Sequence, residues 1–142
     1  MKFPAIGSGP SLDMRRVREY ASAKGLVIPA PLERQLIDQN GGIPEADVEL
    51  VFGRESTDVM RVFGIDMPSE ACELSWIAET YAGRIPAGYL AIADDSGGNL
   101  FLLNVTSEDQ AVWYWNHEDE LAVPTSTGRT IDEFSRTLVD EA

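Results

Sequence analysis

The hexapeptide Asp94-Asp95-Ser96-Gly97-Gly98-Asn99 constrains the fold of this chain more than any other stretch. A short polar segment with paired glycines offers cheap positive φ, and between two apolar runs it reads as a hairpin turn. It divides an apolar run over residues 89–93 from another over 99–105. In the second, Leu100, Phe101, Leu102, Leu103 and Val105 are almost continuously apolar, the pattern of a central strand covered on both faces. Residues 106–110 turn again, and Ala111-Val112-Trp113-Tyr114-Trp115 supplies a third strand. The expectation is an antiparallel meander over about residues 89–116.

Helical signals surround it. Ser11 is placed to cap a helix over 12–24 that Gly25 stops, with Met14, Val17 and Tyr20 on one face. Pro31 opens a second helix over 32–39, with Leu32, Leu36 and Ile37 facing inward, and Asn40-Gly41-Gly42 ends it. Two strands are expected over 48–52 and 59–65, separated by Ser56-Thr57-Asp58. A third helix is read over 70–81, where Leu74, Ile77, Ala78 and Tyr81 recur at helical spacing. Residues 120–130 read as a loop, and Thr130 caps a last helix over 131–139 that buries Ile131, Phe134 and Leu138. This is an α+β order, a mainly antiparallel sheet flanked by N-terminal, middle and C-terminal helices. Residues 1–10 are expected as a flexible arm and 11–142 as one domain.

With 142 residues the chain buries roughly 68% of its unfolded surface, enough for a core without staples. The net charge of −13 argues against a phosphate-backbone reader and against binding anionic lipid. That charge is uneven: residues 71–142 carry 13 acids against Arg84, Arg129 and Arg136. Such a field serves either as a solubility coat or as a docking surface for a basic partner. The lone cysteine Cys72, the lack of an apolar leader and the lack of a bilayer-length run lead to a cytoplasmic expectation.

The chemical inventory is sparse. Cys72 and His117 form the only possible Cys/His pair, and burial as a small hydrophobe is the better account of Cys72. His117-Glu118-Asp119-Glu120 lacks the second histidine of a zinc motif, and Asp94 through Asn99 lacks the ligand alternation of a calcium loop. No glycine pattern for nucleotide phosphates is present. No catalytic residue, metal or cofactor is therefore expected. Alternation places Trp113 and Trp115 on one face of their strand and Tyr114 on the other, with at least one tryptophan in the core. On an open face such tryptophans would be interface anchors.

The order of elements resembles the SMI1/KNR4 (SUKH) superfamily. Ile28-Pro29, Leu36 and Asn40-Gly41-Gly42 fit its N-terminal signals, and Phe63-Gly64-Ile65 fits the strand ending that comes next. Residues 90–100, from Leu90-Ala91-Ile92-Ala93 through the glycine turn to Leu100, match its core, and Val112-Trp113-Tyr114-Trp115-Asn116-His117-Glu118 matches the next strand. The inward Phe134 corresponds to that of its terminal helix, while residues 122–128 depart from its usual direct passage into that helix. The resemblance implies a non-catalytic binding domain. Bacterial members look like immunity proteins that neutralise toxins of polymorphic or contact-dependent systems, many of them nucleases. A fungal branch acts as an interaction scaffold in cell-wall signalling. A basic toxin domain is the implied partner, met by a monomer or weak dimer. The candidate surface is Asp94, Asp95, Glu108, Asp109, Glu118, Asp119 and Glu120, with Trp113 and Trp115 as anchors. Asn40, Gly41, Gly42, Gly97, Gly98 and His117 are expected to be structural, His117 by fixing the strand end through hydrogen bonds.

Overall fold

The structure is a computed structural model that describes residues 2–106, 110–119 and 123–140. Along the chain come β1 (Ala5–Ile6), α1 (Met14–Lys24), α2 (Ala30–Asp38), β2 (Ile43–Pro44), β3 (Glu49–Phe52), β4 (Glu55–Asp58) and β5 (Arg61–Val62). A 3₁₀ turn (Glu70–Cys72), α3 (Leu74–Thr80), β6 (Tyr89–Asp94), β7 (Leu100–Asn104), β8 (Ala111–Trp115), β9 (Thr125–Thr130) and α4 (Ile131–Asp140) complete it.

The main sheet has the order β5-β6-β7-β8-β9, and every pairing in it is antiparallel. The meander expected from the glycine turn is its centre. Leu100, Phe101, Leu102 and Leu103 in β7 are all buried, because helices cover both faces of the sheet. On one face Tyr81, just after α3, meets Trp115 edge-on with ring centroids 6.2 Å apart. On the other, Phe134 of α4 lies 5.3 Å from Phe101. Thr130 and Glu133 form a capping box at the start of α4: each side chain accepts from the other residue's backbone N–H, at 3.2 and 3.1 Å.

Several local expectations change. Asp13, not Ser11, caps α1, its carboxylate accepting from the Arg16 N–H at 2.8 Å. Met14 is exposed, so Val17 and Tyr20 form the buried face of α1. In α2, Ile37 is exposed and Glu33 is buried, paired with Arg18 at 3.3 Å. Ser56-Thr57-Asp58 is not a separator but part of β4, which pairs with β3 across a Gly53-Arg54 turn. Its polar composition hides it, since only one side of this hairpin meets the core. The third helix is broken at Glu73, whose backbone is extended. Its carboxylate instead accepts from the N–H groups of Asp66 and Met67 and from the Tyr20 hydroxyl.

Residues 125–130, expected as loop, are the edge strand β9. Thr127 is buried and donates its hydroxyl to the Val112 carbonyl at 2.7 Å, beside a register shift between Val112 and Trp113. Residues 120–122 lie outside the described residues. The first ten residues, expected as an arm, are laid against the body. Phe3 is buried, its backbone exchanges two 2.9 Å hydrogen bonds with the Gln39 side chain, and β1 pairs with β2.

Asn40 joins this arm to the sheet. Its buried amide donates to the Ile65 and Pro10 carbonyls, at 2.7 and 3.0 Å, and accepts from the Ile65 N–H at 2.8 Å. Gly41 comes next with φ +61°, and a Cβ there would stand 2.7 Å from the Val62 carbonyl, so both conformation and space demand glycine.

Candidate protein-binding face

Asp94 and Asp95, expected on an exposed acidic rim, are only 2% and 3% exposed. They close β6, and alternation sends their side chains to opposite faces. Asp94 sits opposite Arg61 of β5 and receives its guanidinium at 2.6 and 2.9 Å. Burial pushes the Asp94 carboxyl up, against the pull of Arg61. Asp95 organises the turn. Its Oδ1 accepts from the N–H groups of Gly97 and Asn99, at 3.0 and 2.8 Å. Its Oδ2 accepts from the hydroxyls of Tyr114 and Thr57, at 2.5 and 2.7 Å. Burial works to raise its pKa, but these donors together hold the carboxyl below its ordinary value. Both carboxylates are saturated from within the chain, so neither presents a free charge. A polar turn looks solvated in sequence, and that is why the expected rim is wrong at these two positions.

Gly98 and His117 complete the turn. Gly98 has φ +83°, and its Cα face lies on the His117 ring, where a Cβ would stand 3.2 Å from it. Gly97 takes no such conformation. The His117 Nδ1 lies 2.8 Å from the Asn99 side-chain oxygen, which also accepts from the His117 N–H at 3.2 Å. The Arg84 guanidinium donates to the His117 carbonyl at 2.8 Å. The end of β8 is thereby tied both to the glycine turn and to the segment after α3. Glu118 and Asp119 come after it on the surface. Glu108, Asp109 and Glu120 lie outside the described residues.

The tryptophans divide by depth. Trp115 is 1% exposed and belongs to the core, so it is no interface anchor. Trp113 is half-buried, edge-on to Tyr89 at 6.3 Å. Tyr114 points the other way, to Phe52 and Phe101 at 5.3 Å each, as alternation requires. The tryptophan most open to solvent is Trp76 of α3, at 39%. It stands on the rim of a cleft of about 210 Å³ between α3 and the β6–β7 turn, with Thr80, Tyr81 and Gly98 on the walls and Arg61 and Asp94 within. Trp76 is absent from the candidates drawn from sequence, although a signal for it is there. It falls two residues after Leu74, off the inward stripe of Leu74, Ile77, Ala78 and Tyr81.

The nucleophile candidate is not set up as one. Cys72 is buried, and that burial pushes its thiol up, away from the thiolate form that reacts. His117 is engaged with Asn99. Among the described residues no group of His, Cys, Asp and Glu side chains is arranged to hold a metal ion, and no helix is long and apolar enough to cross a membrane.

Charge is distributed to match this division. Arg15, Arg16, Arg18 and Arg61 of the first half are committed to Glu19, Asp66, Glu33 and Asp94. In the second half, Arg84 and Arg129 donate to backbone carbonyls. Arg61 neutralises Asp94 from the first half, and the 13 acids of residues 71–142 still outnumber that arginine together with Arg84, Arg129 and Arg136. Searches of curated proteins and of solved structures return no match. The family model described as the SMI1 / KNR4 family (SUKH-1) matches residues 15–135, a span that contains the Asn40 junction, the glycine turn, β8 and Phe134. On that span, and with the α+β architecture it accompanies, the chain belongs to the SMI1/KNR4 (SUKH-1) family.

Proposed function

We propose that this chain is a non-catalytic, immunity-type protein-binding domain of the cytoplasm that neutralises a cognate toxin domain with a basic surface. The observation that carries the proposal is the excess of carboxylates over bases in residues 71–142, combined with family membership. A nuclease toxin binds phosphates through a basic surface, and an acidic inhibitor covers that surface with fast, steered association. Glu118 and Asp119 supply exposed charge at the end of β8, and Glu108, Asp109 and Glu120 join them on sequence grounds alone. Trp113, half-buried on the α3 side of the sheet, is a lesser contact.

The test is co-expression with a toxin domain encoded beside this chain. The expected outcome is restored growth and a stoichiometric complex whose association slows as salt rises. Absence of both protection and complex would remove the proposal, and a stable complex with a non-toxin protein instead would point to a scaffold role.

A further inference from the structure

The cleft beside Trp76 joins an exposed large aromatic to the main sheet. Its surroundings argue for a particular occupant. Tyr81 on one wall is turned toward Trp115 and the Arg84 guanidinium lies over its ring, so that ring is already used. Trp76 keeps 39% of its surface open to solvent on the rim. Glu79 is exposed three residues further along α3 and so on the same side of the helix. At the inner end Arg61 and Asp94 neutralise one another. A partly exposed indole with a carboxylate three residues along the same side of the helix is an arrangement that attracts a cationic side chain, and tryptophan is the strongest aromatic partner for one. The net charge of −13 favours a basic partner over an acidic one.

We propose that this cleft is the anchoring point for a basic protein partner, which lays an arginine or lysine side chain over Trp76 with Glu79 beside it. The proposal rests on the basic-partner reading above and names its contact.

The experiment titrates the full chain with amidated hexa-arginine at low salt, using hexa-serine as a neutral control and following tryptophan emission. Trp76 being the most exposed of the three indoles, saturable quenching is expected with hexa-arginine and not with hexa-serine. Trp76→Phe should remove most of the emission change, and Trp76→Ala should weaken binding about fivefold. Glu79→Gln should weaken it about twofold. Unchanged affinity in Trp76→Ala, checked for native circular dichroism, would overturn the proposal, as would no binding by the natural sequence. Affinity for the peptide, read beside toxin co-expression, separates the two levels. Peptide affinity unchanged in Trp76→Ala defeats this contact but leaves the function standing, whereas failure of the natural sequence to protect defeats the function itself.

Discussion

The two acidic stretches at the ends of neighbouring strands, Asp94-Asp95 after β6 and Glu118-Asp119 after β8, look alike in sequence and are put to different uses. The first pair is buried and bonded to Arg61, Tyr114, Thr57 and the turn backbone. The second lies on the surface beyond His117. The difference comes from the course of the chain after each stretch. After Asp95 the chain reverses within four residues, which presents several backbone donors to a single carboxylate. After His117 the next strand of the sheet begins only at Thr125, and the two carboxylates reach solvent. In this fold acidic residues hold the turn where they are buried and set the electrostatic field where they are not.

Removing the buried group should have the largest effect. Asp95→Ala leaves the Tyr114 and Thr57 hydroxyls and two turn N–H groups without their acceptor, and should cost about 3–5 kcal/mol in urea unfolding. Arg61→Met leaves the Asp94 carboxylate buried and unpaired, at about 3 kcal/mol. Combining it with Asp94→Leu should recover most of that loss, and a double variant no better than the single one would show that the pair acts through something other than charge.

Titration sharpens the same contrast. The Asp95 carboxyl is held low, so its contribution is present above its unfolded pKa of about 4 and is lost as pH falls through the lower folded value. Asp94 has the opposite sign. Its carboxyl is raised by burial, so its contribution is present below the unfolded pKa and lost as pH rises through the folded one. Asp95→Asn should therefore flatten the acid limb of stability measured between about pH 2 and 6. Burial and the Asp95 carboxylate push the Tyr114 phenol up to about 12. Its contribution holds below about pH 10 and is lost as pH rises toward 12. In phenolate absorbance, Tyr114→Phe should remove one late-titrating phenol. Tyr20, raised to about 12 by burial and its bond to Glu73, should remain as another.

The smallest stability effect belongs to the exposed pair. Glu118→Gln with Asp119→Asn should change unfolding free energy by less than about 0.5 kcal/mol.

Much of this is legible in the residues. The glycine turn, the apolar run of β7 and the alternation of Trp113, Tyr114 and Trp115 specify the meander, because each is a local consequence of backbone geometry. The capping of α4 by Thr130 is legible for the same reason. The strands β4 and β9 are not, since a strand with a polar outer side, such as Ser56-Thr57 or Thr125-Ser126, carries no apolar period. The burial of Asp94 and Asp95 is also hidden. It depends on Arg61 and Thr57, more than thirty residues away, which no local pattern announces. Trp76 is legible as the residue off its helix's inward stripe, but its cleft exists only once α3 is set against the glycine turn.

The measurement that bears most directly on the division between holding acids and field-setting acids is the association rate with the toxin domain as a function of salt. It should be made for the natural sequence and for the Glu118→Gln, Asp119→Asn variant. The predicted result is a rate that falls steeply with salt for the natural sequence and less steeply for the variant, with unchanged melting temperatures. Identical rates and identical salt slopes for the two proteins would contradict the account.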